Sequence, residues 1–217
     1  MLERLKIRLR SLSLKRWTGW IGPLLIALGV LLLGYVISQY ASMFMEQRRL
    51  AHLWQEQNSP AAATAAAPRP ADDGLTRLSI PRINLDAVVT EGSSRRQLAI
   101  APGHMTESPI PGLAGNSVIT AHRDTFFRHI YELQRGDSIL VQRSGEQYRF
   151  EVIGKKVVAP DDVSVLKPTK DPHLTLVTCY PTYFIGPAPE RLVVFSKLVD
   201  HAPANVAKAA VKSGGVQ

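Results

Sequence analysis

Residues 17–45 carry no charge, and no other feature of the chain restricts its folding as much. The dense apolar part is 21–37, with Trp17 and Trp20 ahead of it and Tyr35 and Tyr40 near its far end. About 20 apolar residues cross a bilayer as a helix, and Trp and Tyr favour its two interfaces. Gly22, Pro23, Gly29 and Gly34 are tolerated in such helices. Arg4, Lys6, Arg8, Arg10, Lys15 and Arg16 precede the span, whereas Arg48 and Arg49 follow it. The positive-inside rule then places the basic arm, residues 1–16, in the cytoplasm and everything after the span outside. A cleaved signal peptide is the competing reading. It calls for a shorter apolar region followed by small residues of A-x-A type, and Gln39, Tyr40, Ala41, Ser42 and Met43 do not supply them. The pattern favours an uncleaved single-pass signal anchor over 17–45.

The chain has 217 residues and a formal charge of +8. The first 16 residues hold six of the basic residues against one acid, while residues 75–200 are nearly neutral. That distribution argues against a nucleic-acid face and for a basic arm next to a membrane. The single cysteine, Cys179, excludes an intramolecular disulfide and a cysteine zinc cluster. Residues 46–74 read as a stalk: 46–58 can continue the helix out of the membrane, and 59–74 hold ten Ala or Pro and no large apolar group, a semi-extended spacer. The tail, 201–217, is rich in Ala, Lys and Gly and is expected to fray.

One domain remains, 75–200. Eight short β-like runs are predicted at 75–80, 85–90, 116–121, 138–143, 147–153, 155–159, 174–179 and 191–199. Tyr148, Phe150 and Val152 share one face, as do Leu192, Val194 and Leu198. Ser144-Gly145 predicts a hairpin turn. Residues 124–133 read as the one real helix, a short one with Asp124 as a possible cap. Many strands and little helix make the domain mainly β, a closed or nearly closed barrel.

In the run LTLVTC, 174–179, Leu174, Leu176 and Thr178 point one way and Thr175, Val177 and Cys179 the other. An 11-residue loop with three prolines follows, and a second strand starts at Arg191. If the two strands pair antiparallel, Cys179 and Arg191 face each other across the mouth of that loop. His122 directly follows the apolar strand 116–121 and so also sits at a strand end. A lone Cys with a distant His is a candidate nucleophile pair, the thiolate being the reactive form. A His can move a proton to or from an amine, and an Arg can hold an oxyanion with fixed N–H donors. Together they suit acyl transfer at an amide through a thioester. The alternatives are plain: Cys179 as a small core residue, Arg191 closing a strand end, His122 on the surface, and His104, His129 or His173 in the histidine role.

TLVTC at 175–179 resembles the TLxTC signature of sortases, in which the Cys is the nucleophile. AHRDTFF at 121–127 resembles the GHRDTFF segment of class D-like sortases, GPAPERLVV at 186–194 the stretch with their catalytic Arg, and RLSIPRINLDAVV at 77–89 their first two strands. The four segments stand in the family's order. The resemblance implies an eight-stranded β-barrel with short helices behind one transmembrane helix. It implies Cys179, His122 and Arg191 as catalytic residues and Thr178 beside the nucleophile as a substrate-holding residue; from its position alone, next after Cys179, the N–H of Tyr180 is expected as a second oxyanion donor. The implied partners are proteins with an LPxTG-like C-terminal sorting signal, cleaved after its Thr, and an amine acceptor on cell-wall peptide or protein. No nucleic acid, cofactor or metal is expected; Asp161 and Asp162 alone are thin grounds for a calcium site. Ala121 stands where the family usually has Gly, which adds a methyl beside His122. The loop 160–173 is expected over the substrate groove. Rival readings are a hydrolysing cysteine peptidase and a non-catalytic binding domain in which Cys179 is core.

Overall fold

The alternation of apolar residues along the domain becomes strand pairing in the computed structural model, which describes the backbone of residues 2–58, 75–183 and 186–204. The Ala/Pro spacer at 59–74, the tail from 205, and the side chains of the basic arm lie outside the described residues. The chain divides into two compact units, Met1–Phe44 and Met45–Gln217.

The first unit is helix. Helix α1 runs Leu2–Gln57 with Pro23 inside it. Within it Leu31, Leu32 and Leu33, successive positions turned by about 100°, are 71%, 58% and 61% exposed. A helix whose apolar window is exposed on every face is suited to lipid, and its length and hydropathy are those of a single-pass span.

The second unit is a closed barrel in the order β1-β2-β3-β4-β7-β8-β6-β5. Its strands are β1 (Thr76–Ile80), β2 (Leu85–Glu91), β3 (Gly103–His104), β4 (Asn116–Thr120), β5 (Ser138–Arg143), β6 (Glu146–Val158), β7 (His173–Tyr180) and β8 (Glu190–Pro203). β2 pairs parallel with β3, and β4 parallel with β7; the other neighbours are antiparallel. Leu78, Ile80, Ile119, Ile139, Val141, Phe150, Leu174, Leu176 and Val194 fill the interior together with Phe127, Ile130 and Leu133 from the β4–β5 connection.

Eight strands were expected, and the membership differs in two places. The runs at 147–153 and 155–159 are one strand, β6, which shifts register against β8 between Arg149 and Phe150 and between Val152 and Gly154. Such irregularities bend a strand without ending its pairing, and Gly154 reads in sequence as a break. The eighth strand is β3, only two residues long, with Gly103 set so close to the chain just after β2 that an added Cβ would collide with the Gly92 carbonyl oxygen. The expected helix at 124–133 is a run of turns closed by the 3₁₀ turn Ile130–Glu132. Asp124 is exposed there and caps no helix. Phe126, Phe127, Ile130 and Leu133 serve the core, and a single turn is enough to deliver them. A four-residue helix, α2 (Arg95–Leu98), was not anticipated; Ser94 and Gln97 close it with a capping box. The hairpin at Ser144-Gly145 forms as expected, with φ of 50° and 81°, the two positive values of a type I′ turn. β8 runs on to Pro203, past the boundary expected at 200, and pairs there with the start of β6.

The last turns of α1 belong to the barrel unit. Gln47, Leu50, Ala51, Trp54 and Asn58 recur at helical spacing on one face. Leu50 is buried against Val88 and Ala101. The Gln47 amide donates to the carbonyls of Val88 and Ile100 at 3.2 and 3.0 Å and accepts from the Val88 N–H at 3.1 Å. Arg77 lies 5.0 Å from the Trp54 ring centroid and forks onto Asp86 at 2.7 and 2.6 Å. The hydrogen bond to Asp86 raises the Arg77 pKa, against a smaller opposing effect of burial. Asn58 accepts from the Gly145 N–H in the hairpin turn. This helix explains a local anomaly in β2. Ala87, Val88 and Val89 are all buried although successive strand residues face opposite sides. Val89 belongs to the barrel interior, and Val88 lies under Leu50.

Candidate active site

Leu174 and Leu176 face the barrel interior, so Thr175, Val177 and Cys179 lie on its outer face. The same holds across the pair: Leu192 and Val194 are core, and Arg191 and Val193 face outward. β7 and β8 pair antiparallel with Cys179 directly opposite Arg191. Both residues are half-buried. The strand-end argument therefore delivers this pair as expected. The Arg191 guanidinium donates to the carbonyls of Glu190 at 2.9 Å and Ala188 at 3.4 Å, which turns it along the end of the β7–β8 loop.

The third residue arrives by a parallel pairing. β4 and β7 match Asn116 with His173 through Thr120 with Val177. Contact continues past the last pair: the Ala121 N–H donates to the Val177 carbonyl at 3.3 Å, and the Thr178 hydroxyl donates to the Ala121 carbonyl at 2.7 Å. The next residues of the two segments are His122 and Cys179. Ala121 and His122 follow the end of β4, and His122 is half-buried at the rim where the Ala121 and Thr178 backbones meet. Thr178 is buried, its hydroxyl spent on joining the two segments. Tyr180 packs its ring against the core.

The competing histidines sit in other surroundings. His104 is 3% exposed, and both its ring nitrogens are engaged: Nδ1 with the Glu91 carboxylate at 2.9 and 3.1 Å, Nε2 near the Pro109 carbonyl at 3.0 Å and Ser108 Oγ at 3.1 Å. This Glu-His-Ser grouping has the outline of a hydrolytic triad. However, the Ser108 hydroxyl donates to the Met105 carbonyl at 2.8 Å and accepts the Val118 N–H at 3.0 Å, so it braces a turn. His129 pairs with exposed Glu132 at 2.8 Å, and that contact holds the Glu132 carboxyl below its usual range. His173 begins β7, at the opposite end of the strand from Cys179, and meets the Asp171 carbonyl.

The β6–β7 connection lies across the outer face near the start of β4 and β7. Its 3₁₀ turn, Val163–Leu166, is capped by Asp162, whose carboxylate accepts the Ser164 N–H at 3.0 Å and is lowered in pKa chiefly by that residue. Asn116 donates to the Val165 and Lys167 carbonyls and accepts from Thr175 at 2.6 Å, seating the loop on the sheet. A cleft of about 370 Å³ remains there, bordered by Lys156, Lys167, Thr175 and Phe195. Sequence reading missed Asn116 and Arg123. Arg123 donates to the Pro181 carbonyl at 3.0 Å and to the Gly186 carbonyl at 2.6 Å. An Asn opening an apolar strand, and an Arg beside the candidate His, were the available signals.

A family model described as Sortase domain matches residues 78–199, more than half of the chain. Sortase D of Bacillus subtilis (strain 168) is 35% identical over 123 residues, covering 56% of this chain and 62% of that protein. Sortase A of Bacillus anthracis is 28% identical over 109 residues, covering 48% of this chain and 51% of that protein. The matched region thus spans less than two thirds of either relative. Among solved structures, a Clostridium perfringens Sortase D5 transpeptidase superimposes with a TM-score of 0.60 at 25% identity, covering 71% of this chain and 98% of its own. Sortase E from Streptomyces avermitilis gives a TM-score of 0.54 at 25% identity, over 60% of this chain and 91% of its own.

Proposed function

From the premise that this chain belongs to the sortase family, with class D-like character, we propose that it is a membrane-anchored cysteine transpeptidase. The observation that carries the reading is the direct pairing of Cys179 with Arg191 at the rim where β4 hands over to His122. The substrate is a protein with an LPxTG-like C-terminal sorting signal. The span crosses the membrane with the N-terminus in the cytoplasm and the barrel outside, where anchored substrates are presented.

The chemistry follows from the three groups. The Cys179 thiolate attacks the carbonyl carbon of the signal's Thr. The oxyanion is held by the Arg191 guanidinium, a permanently charged fork of donors. Collapse breaks the C–N bond while His122 gives its proton to the departing amine, leaving a Cys179 thioester. An incoming amine on cell-wall peptide or protein attacks the thioester and loses a proton to His122. The C–S bond then breaks, and the thiolate returns. Thr178, expected as a substrate-holding residue, donates its buried hydroxyl to the Ala121 carbonyl, so in this scheme it ties the His122 and Cys179 segments together. The Tyr180 N–H, next along the chain from Cys179, is the second oxyanion donor in this scheme.

The test is intact-mass spectrometry of the full chain in detergent with a panel of LPxTG-like peptides and an amine. A Cys179 adduct that converts to an amine-linked product is the expected result. A free-acid product alone would establish a hydrolase. No adduct from a folded wild-type chain would leave a non-catalytic domain.

A further inference from the structure

The β7–β8 loop is the segment that separates Cys179 from Arg191, and two guanidinium groups hold it. Arg191 takes the carbonyls at its far end, Ala188 and Glu190. Arg123 takes Pro181, two residues after Cys179, and Gly186, whose φ of +119° favours glycine. Arg123 is the neighbour of His122 and is half-buried. One planar fork therefore joins the segment leaving the candidate base to both limbs of the loop leaving the candidate nucleophile.

We propose that Arg123 is a positioning residue for the transfer reaction, a clasp that fixes the β7–β8 loop and with it the relative placement of His122, Cys179 and Arg191. The loop is rich in proline, and Arg123 meets its backbone at the Pro181 and Gly186 carbonyls. A loop without such ties samples many conformations, and each fixed residue costs about 1–2 kcal/mol of conformational entropy on ordering. Two charge-assisted hydrogen bonds from a rigid fork oppose that cost before substrate arrives. A displacement of about 1 Å between reacting groups is enough to lower a rate about a hundredfold. The fork is also specific in chemistry. An ammonium at the same place is a point donor on a flexible stem and does not reproduce two fixed N–H directions. The clasp acts through its neighbours, by way of the Pro181 and Gly186 carbonyls. Its kinetic role rests on the transpeptidase reading above; the mechanical tie does not.

The experiment compares wild type, Arg123→Ala and Arg123→Lys as full chains in detergent, with two readouts. Amide hydrogen exchange over 182–190 reads the clasp without any substrate. Steady-state transfer with a peptide that acylates the wild type reads its kinetic role. Arg123→Ala is expected to raise exchange in the loop at least about tenfold, leave exchange in β5 and β6 unchanged, and lower kcat about tenfold with the peptide KM within about twofold. Arg123→Lys, which keeps the charge and most of the volume, should recover part of both. Unchanged loop exchange in Arg123→Ala and Arg123→Lys overturns the clasp. Raised exchange with wild-type kcat overturns the positioning role. A rise in exchange throughout β5 and β6 in Arg123→Ala means general unfolding, and Arg123→Lys then decides by the same two criteria. If the wild type forms no adduct with any peptide, the transpeptidase reading fails and the kinetic role falls with it, while loop exchange still decides the clasp.

Discussion

The rim that carries Cys179 and the β1–β2 face that carries the end of α1 are built on opposite terms. At the rim, backbone strands end, a loop with three prolines turns, and the side chains of Cys179, His122 and Arg191 remain half-buried. On the covered face, Gln47 satisfies both backbone groups of Val88, Leu50 is buried, and Trp54 stacks with an ion-paired Arg77. Half-buried positions at strand ends suit chemistry, since a nucleophile must meet its substrate. Positions that bury apolar surface or pair with buried backbone groups, as Leu50 and Gln47 do, suit stability, since a lost partner leaves a buried group unsatisfied. Substitutions at the two regions should therefore separate activity from stability in opposite directions.

The largest effect is expected at Cys179. Cys179→Ala removes the nucleophile and should lower acyl transfer about 10⁴-fold or more, with a melting temperature close to wild type. A large drop in melting temperature would instead mark Cys179 as a core residue and dissolve the contrast. Arg191→Ala comes next: losing an oxyanion donor costs about 10²–10³ in kcat, measured in the same transfer assay, again with little change in melting. On the covered face, Leu50→Ala should destabilise the barrel unit by about 2 kcal/mol in denaturant titration, with kcat/KM unchanged. Gln47→Ala should cost about 1 kcal/mol, since it removes the partner of the N–H and carbonyl of buried Val88. Loss of activity at Leu50 or Gln47 without loss of stability would show that the two regions communicate.

The same contrast governs what could be read in advance. Cys179 and Arg191 were legible because a short loop between antiparallel strands obliges the strand ends to meet. His122 was legible only as another strand end. That its segment meets the one carrying Cys179 depends on the parallel pairing of β4 with β7, segments 57 residues apart at Ala121 and Thr178. Two-residue β3 left no periodicity to detect, and Gly154 read as a break where pairing to β8 carries the strand through. Phe126, Phe127, Ile130 and Leu133 gave a helical spacing that turns alone fulfil once the barrel supplies a core for them. The docking of residues 47–58 was not legible, because Gln47 recognises the backbone of Val88 and backbone groups carry no sequence signature.

By itself the sequence determined the apolar span, the β character of the domain, the Ser144-Gly145 hairpin and the identity of the candidate groups. Each depends on local matters: transfer of side chains from water, strand alternation, and turn geometry over a few residues. Tertiary structure alone decided which strands close the barrel, that β4 lies beside β7, that Arg123 reaches the loop after Cys179, and that the end of α1 covers Val88. Those outcomes rest on non-local register, which is selected by filling one closed interior and satisfying backbone groups across it.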